Sequence, residues 1–309
     1  MALLILSPTR ETESWVQAIK ELDENIPILV FPEPQNADLV EFALVWNHPF
    51  GSLKKFPNLK CISSMGAGVD YLLKDTELPD NVLLTRIVDP ELSKTMFEFI
   101  LAMVMNHLRD LTHFKQLQFA NTWKPSTYKR IEDVRIGIMG FGEIGSYVAE
   151  RLLNIGFSVK AWSQSLKPYS KTKQFVGENE LKPFMQNTDI LICLLPSTPK
   201  TRGLINKQTI EYLPKGASII NVARGDIIVD SDLIEMLDSG HLKIASLDVF
   251  ENEPIPSSHP FWKHKKIDIT PHVASLTNPK TVAPQIVDNY WRMKKGEQLL
   301  HEVSREKGY

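Results

Sequence analysis

Short apolar runs alternate with helical periodicity along most of this chain. In the first part the runs fall at residues 3–6, 26–31, 42–46, 59–63 and 82–85, and helical patterns cover 15–22 and 67–73. Runs this short, bounded by polar and turn-forming residues, read as strands rather than helices. Their alternation with helices predicts an open parallel α/β sheet. Residues 94–120 carry Phe97, Ile100, Leu101, Val104 and Leu108 at helical spacing, which predicts one long helix. The polar stretch around Pro125 then breaks the chain. Six further runs, at 134–139, 158–162, 190–195, 218–222, 244–249 and 267–270, have helices between most of them and fit a second doubly wound sheet. The amphipathic pattern over 279–296 predicts a last helix, which the sequence alone assigns to neither sheet.

The run at 134–139 leads directly into Gly140-Phe141-Gly142-Glu143-Ile144-Gly145, and a helical pattern follows over 147–153. Strand, Gly-x-Gly-x-x-Gly turn and helix, in that order, make a dinucleotide site. Gly140 permits the tight turn, Gly142 lets the backbone approach a pyrophosphate, and Gly145 lets helix and strand pack closely. The phosphates would meet the N–H groups at the positive end of the helix. The other reading of the same glycines is a tight turn with no ligand.

At 309 residues the chain accommodates two ordinary domains. Its formal net charge of -2, with Lys and Arg spread along the sequence, argues against a nucleic-acid surface. No apolar run approaches membrane-spanning length, and the run at 2–6 is too short for a signal sequence. The two cysteines, Cys61 and Cys193, lie in strand-like runs with no metal-ligand spacing, so reduced buried thiols and no metal site are expected. A cytoplasmic location follows by default.

Three strand ends in the second part carry candidate chemistry: Arg224 in Asn221-Val222-Ala223-Arg224-Gly225, Glu253 after Asp248-Val249-Phe250, and His272 in Thr270-Pro271-His272-Val273-Ala274. Ligands of doubly wound sheets bind at the carboxyl ends of strands. Each residue also has a plainer reading, as a surface arginine, a solvated loop carboxylate and a turn histidine. Together they supply what carbonyl reduction needs. A guanidinium holds a carboxylate with two parallel hydrogen bonds. An imidazole delivers a proton near neutral pH, and a carboxylate orients it and keeps it protonated.

These segments, with Val45-Trp46, Met65-Gly66-Ala67-Gly68-Val69-Asp70, Trp123-Lys124-Pro125, Leu194-Leu195-Pro196 and the final Lys307-Gly308-Tyr309, resemble the D-isomer-specific 2-hydroxyacid dehydrogenases over nearly the whole chain. The glyoxylate/hydroxypyruvate reductase A group is the nearest in wording. The resemblance implies a Rossmann cofactor domain, residues 99–276, inserted into a flavodoxin-like substrate domain, residues 1–98 and 277–309. It implies Arg224, Glu253 and His272 as the catalytic set, and a small 2-ketoacid held between Arg224 and the Gly66-Ala67-Gly68 loop. Trp46 and Arg86 resemble substrate-pocket positions, although Asn47-His48-Pro49 departs from the group's usual wording. Leu195, Pro196 and Thr201 would lead towards the nicotinamide with Val222, Ala223 and Ala274, and Asp248 would hold its carboxamide. Family members are commonly homodimers, and the 94–120 helix is the expected contact.

Coenzyme choice rests on the end of the second strand of the cofactor domain, where NAD sites usually carry Asp or Glu. This chain has Ser163-Gln164-Ser165-Leu166-Lys167. No carboxylate repels a 2′-phosphate there, Ser163 and Ser165 offer hydroxyls and Lys167 offers charge. Gln164 stands where similar proteins often have Arg. NADP is therefore expected over NAD. The alternatives are an NAD-dependent dehydrogenase of a larger D-2-hydroxyacid and a nicotinamide-sensing scaffold.

Overall fold

The opening run Ala-Leu-Leu-Ile-Leu forms β1 (Ala2–Leu6), and every residue of it is buried. A strand apolar at consecutive positions needs cover on both faces, which only a parallel sheet between helices gives it. The computed structural model describes residues 1–32, 36–168 and 170–309. Its chain divides into two units, Met1–Glu91 with Thr277–Tyr309, and Leu92–Leu276.

In the first unit β1 is followed by α1 (Glu13–Leu22), β2 (Ile28–Val30), β3 (Val40–Val45), β4 (Cys61–Ser64), α2 (Asp70–Leu73) and β5 (Leu83–Thr85). The strands run parallel in the order β2-β1-β3-β4-β5. Leu4, Val45, Ile62, Leu72 and Leu84 belong to its core. The C-terminal helix, Pro279–Lys295, packs against α1, buries Val282, Ala283, Ile286 and Tyr290, and sets Tyr290 edge-on to Phe42 of β3. Trp291 Nε1 donates to Asp23 Oδ2 at 3.0 Å at the end of α1.

The second unit holds most of α3 (Pro90–Arg109), then α4 (Leu111–Phe119), β6 (Arg135–Met139), α5 (Glu143–Ile155), β7 (Ser158–Ser163), β8 (Lys173–Val176), α6 (Leu181–Met185), β9 (Ile190–Cys193), α7 (Lys207–Ile210), β10 (Ala217–Asn221), α8 (Asp230–Asp238), β11 (Leu242–Leu247) and β12 (Ile267–Ile269). Its parallel strands take the order β12-β11-β10-β9-β6-β7-β8. One core cluster runs from Phe184 through Leu191 and Ile219 to Leu233, and another joins Ile100 and Val104 of α3 to Ile138, Val148 and Ile192. Arg135, entering β6, clamps Asp189 beside β9: Nε to Oδ2 is 2.8 Å and Nη2 to Oδ1 is 3.0 Å. Burial pushes the Asp189 carboxyl up, but the Arg135 side chain and main-chain N–H outweigh it and bring it down to about 2. Cys61 and Cys193 are free and buried, and burial raises both thiols to about 12.

Two expectations from periodicity are corrected here. The single helix over 94–120 is two helices, broken at Asp110, whose φ of 55° lies in the left-handed region. Asp enters that region more readily than most residues, so the break needs neither Gly nor Pro. The second sheet also has a seventh strand, β8, on its edge. Its exposed and half-buried residues never form the apolar run by which the others were recognised.

Candidate active site

The second sheet reverses direction of growth between β6 and β9, the switch point at which doubly wound sheets take ligands. The glycine turn leaves β6 at that point. Gly140 has φ 102°, and a β-carbon on it would lie 2.5 Å from the carbonyl oxygen of Leu194. A β-carbon on Gly145 would come within 2.0 Å of the Gly140 carbonyl oxygen. Gly142 differs: nothing lies within 4 Å of its missing side chain. It is the N-cap of α5, so open space adjoins the unbonded first-turn N–H groups, to which Glu143 and Ile144 belong. The turn fits a pyrophosphate, which a side chain at position 142 would crowd.

At the end of β7 the Ser163 hydroxyl donates to the Ser165 carbonyl at 2.7 Å. Its proton is engaged within the loop. Lys167 Nζ donates to Glu143 Oε1 and to Ser146 Oγ, both at 3.0 Å. Its charge faces the first turn of α5 and is partly balanced by Glu143. The Lys167 main chain is pinned on both sides by the Gln174 amide of β8, while Gln164 and Ser165 are exposed.

After β9, Leu195 is buried and Thr201 Oγ1 donates to the Pro196 carbonyl at 2.6 Å while accepting from Thr198 N at 2.8 Å. Thr201 thus shapes the loop containing Pro196. Val222 and Ala223 are buried beyond β10, as is Ala274 beyond β12.

Asp248, 1 % exposed at the end of β11, organises the histidine loop. Its Oδ1 accepts from Val273 N at 2.9 Å and Thr270 Oγ1 at 2.6 Å, its Oδ2 accepts from Ala274 N at 2.9 Å, and its carbonyl accepts from His272 N at 2.8 Å. Both carboxylate oxygens of Asp248 thus accept from this loop. His272 is held there with φ 53°, in the left-handed region.

The His272 ring Nδ1 lies 2.7 Å from Glu253 Oε2, and Glu253 Oε1 accepts from Phe250 N at 2.9 Å. Burial pushes the Glu253 carboxyl up, but the His272 hydrogen bond, the Phe250 N–H and the charges of His272 and Arg224 hold it below its ordinary value. The neighbouring Glu251 is exposed. Arg224 sits on a turn fixed by Asn221, whose Oδ1 accepts from Ala223 N at 3.1 Å and whose Nδ2 donates to Arg224 O at 2.9 Å. Arg224 Nη1 donates back to the Ala223 carbonyl at 2.6 Å. The second unit thus gathers an imidazole, a carboxylate and a guanidinium around the ends of β10, β11 and β12.

In the first unit, the Trp46 backbone N–H donates to Leu6 O at 3.0 Å as the chain leaves β3. Gly66 lies against its indole, with only 2.8 Å between a built β-carbon and Trp46 Cζ3. Gly66 N donates to Ser64 Oγ at 3.1 Å, and Ser64 Oγ donates to Gly68 O at 2.8 Å. The Gly66 N–H is therefore engaged within the loop. Arg86 follows β5, its N–H donating to His301 O at 3.2 Å and its carbonyl accepting from Gln285 Nε2 at 2.8 Å. Sequence reasoning missed Arg10, whose guanidinium carbon stands 3.7 Å above the Trp46 ring. A lone arginine after a first strand gives no local signal of that contact.

A family model described as the D-isomer specific 2-hydroxyacid dehydrogenase NAD binding domain matches residues 101–274. The chain is similar throughout to a D-isomer specific 2-hydroxyacid dehydrogenase from Xanthobacter autotrophicus Py2, solved with NADPH and MES: 37 % identity, 100 % of this chain and 99 % of that one covered, TM-score 0.95. The NADPH-dependent glyoxylate/hydroxypyruvate reductase of Sinorhizobium meliloti, solved with NADP and sulfate, matches at 31 % identity over 100 % of both chains with TM-score 0.91. A probable 2-hydroxyacid dehydrogenase from Rhizobium etli CFN 42, solved with NADP, HEPES and L(+)-tartaric acid, matches at 29 % identity over 100 % of both chains with TM-score 0.89. Among the described residues no helix is long and apolar enough to cross a membrane.

Proposed function

Because the chain belongs to the D-isomer specific 2-hydroxyacid dehydrogenase family, an NAD(P)-dependent group of oxidoreductases, we propose that it reduces small 2-ketoacids with NADPH, glyoxylate to glycolate and hydroxypyruvate to D-glycerate. The observation that carries this reading is the 2.7 Å contact between His272 Nδ1 and Glu253 Oε2. The similar S. meliloti protein is an NADPH-dependent reductase of those two substrates, and the X. autotrophicus protein binds NADPH. The absence of a carboxylate from Ser163 to Lys167 supports NADPH, with NADH as the weaker donor.

The coenzyme supplies the hydride. The Gly140–Gly145 turn and the first-turn amides of α5 hold its pyrophosphate. Ser163, Gln164, Ser165 and Lys167 surround the adenosine end. Leu195, Pro196, Thr201, Val222, Ala223 and Ala274 line the path to the reacting end. Arg224 anchors the ketoacid carboxylate. In the first unit, Trp46, Arg86 and the amides of the Gly66-Ala67-Gly68 loop are the proposed substrate-binding groups. Glu253 accepts the Nδ1 proton of His272 in a hydrogen bond and stabilises the imidazolium. His272 then gives its other ring proton to the keto oxygen as that atom gains charge, so the C=O group ends as H–C–O–H. Asp248 is a positioning residue that aims the imidazole through the main chain.

The test is oxidation of NADPH and NADH, followed by absorbance, against a panel of 2-ketoacids. Turnover of glyoxylate or hydroxypyruvate with NADPH is expected. Failure with every ketoacid and both nucleotides would end the reductase reading.

The protein acts as a homodimer in this reading. α4 buries none of its residues, and Leu111, Phe119 (77 % exposed), Trp123 (98 % exposed) and Tyr128 lie bare to solvent along one stretch of chain. So much exposed aromatic surface is characteristic of an interface. Light scattering on the parent and on Trp123→Ala with Phe119→Ala tests it; a monomeric parent would refute it.

A further inference from the structure

In the first sheet, order β2-β1-β3-β4-β5, the switch point lies between β1 and β3. Doubly wound sheets take ligands in the crevice at the carboxyl ends of the two strands flanking that point. Arg10 lies on the loop leaving β1, and Trp46 is the first residue beyond β3. The two meet there: the guanidinium carbon is 3.7 Å from the centre of the indole. We propose that Arg10, over the face of Trp46, recognises a second anionic group at the far end of the substrate chain, making diacid 2-ketoacids substrates in addition to glyoxylate and hydroxypyruvate.

The platform is built rather than incidental. Trp46 is fixed by its N–H bond to Leu6, by contact with Gly66, and by Tyr71 at 5.2 Å between ring centres. The Tyr71 hydroxyl is itself tied to the Val45 carbonyl at 2.6 Å and to Ser64 Oγ at 3.1 Å. A guanidinium stacked on a ring keeps its N–H edges in plane, the geometry that grips a carboxylate or phosphate with two parallel bonds. Arg10 is half-buried, and among the described residues no carboxylate pairs with it. Its neighbour Glu11 turns instead to Ser14, which donates to both carboxylate oxygens at 2.9 and 2.7 Å. Burial disfavours the charged guanidinium and lowers its pKa, with Tyr71 acting in the opposite sense. A half-buried cation without a counter-charge is a standing cost that an incoming anion removes. The Gly66-Ala67-Gly68 loop adjoins the same indole, so the inference rests on the reading of Trp46 and that loop as the substrate pocket.

The experiment compares kcat/KM with NADPH for oxaloacetate, 2-oxoglutarate and 2-oxoadipate, each divided by the value for the monoacid of the same carbon number: 2-oxobutyrate, 2-oxopentanoate and 2-oxohexanoate. 3-Phosphohydroxypyruvate against hydroxypyruvate distinguishes a phosphate tail from a carboxylate. The parent should favour the charged tail by about tenfold or more at one chain length. Arg10→Met, which keeps apolar cover on Trp46, should bring that ratio to about one. Arg10→Lys should keep an intermediate value, because charge survives while the planar fork is lost. General damage to the fold lowers both members of a pair and leaves the ratio alone. A ratio at or below one for every tail in the parent, or one unchanged in Arg10→Met, overturns the inference. If no ketoacid is reduced at all, the reductase reading fails instead. Calorimetric binding of the same acids to the protein with NADP+, parent against Arg10→Met, then decides the Arg10 site alone: loss of diacid binding in the variant upholds it, and equal or absent binding refutes it.

Discussion

A β-carbon on Gly225 would stand 2.0 Å from the carbonyl carbon of Phe250. The backbone that carries Arg224 is therefore pressed against the backbone whose N–H holds Glu253. Main chain cannot rotate out of the way as a side chain can. Gly225→Ala should force the two segments apart, separating Arg224 from Glu253 and loosening the Phe250–Glu253 bond. Overpacking of this kind costs about 1–3 kcal/mol, and rigid neighbours push it to the upper end. The expected result is a lower unfolding midpoint together with a kcat/KM reduced by about 100-fold. A variant with parental kinetics would show that the contact is not part of the active geometry.

His272→Asn should slow ketoacid reduction by about 100-fold or more while leaving NADPH affinity nearly intact, because general acid catalysis typically contributes that much. Fluorescence titration with NADPH separates the two effects. Parental turnover in the variant would exclude His272 as the acid.

Removing the charge on Glu253 should alter pH dependence in a definite direction. Its carboxyl is held below the ordinary value, so it stays ionised throughout the neutral range. The stabilisation it gives the fold is complete above the ordinary glutamate range and is lost as pH falls through the lower folded value. For reduction, the ionised carboxylate is the form that accepts from the His272 ring, so Glu253→Gln should lower kcat/KM and remove the acid-side fall that comes with Glu253 protonation. Glu251→Gln should leave the profile in place. Pre-steady-state or steady-state pH profiles of the three proteins check this; a shift confined to Glu251→Gln would reverse the assignment.

Coenzyme preference should respond to three residues in two directions. Ser163→Glu places a carboxylate beside the 2′-phosphate and should cut the NADPH/NADH preference by about tenfold, or 1.4 kcal/mol. Lys167→Ala should weaken NADPH more than NADH. Glu143→Gln frees Lys167 from the ion pair at 3.0 Å and removes a negative charge from the phosphate end of α5, so it should strengthen NADPH binding. Unchanged ratios in all three would mean the adenosine pocket lies elsewhere.

Asp189 is a stability residue remote from the proposed chemistry. Its carboxyl is lowered to about 2 by Arg135, against an ordinary value of 3.8. A depressed carboxyl contributes stability above its unfolded value and loses it as pH falls through the folded one. The size is about 2 kcal/mol, lost between about pH 5 and pH 2. Asp189→Asn should remove that amount at neutral pH and flatten the acid limb of the stability curve. Urea unfolding across that range is the measurement, and an unaltered acid limb would contradict the assignment.

The sequence made some of this legible because certain signals are local. The Gly140–Gly145 turn is read from spacing, and buried strands such as β1 and β9 announce themselves as unbroken apolar runs. Strand β8 did not, because an edge strand needs apolar residues on little of its surface. The break at Asp110 was hidden by a hydrophobic period that continues across it. Arg224, Glu253 and His272 were visible as residues at strand ends, and the pairing of Glu253 with His272 followed from the family resemblance rather than from a local signal. Nor was the role of Asp248, which depends on hydrogen bonds to residues more than twenty positions away. Arg10 and Trp46 are likewise joined only by the parallel pairing of β1 with β3.

The backbone of His272 has a consequence for how this protein tolerates change. A residue with a β-carbon held at φ 53° sits about 1–2 kcal/mol above its relaxed conformation. Four hydrogen bonds to the atoms of Asp248 keep the loop there. Selection for robustness alone would drift this position towards glycine or asparagine, which accept the left-handed region readily. The imidazole thus stands against the preference of its own main chain, and an engineered lineage screened only for heat resistance would be expected to lose it early.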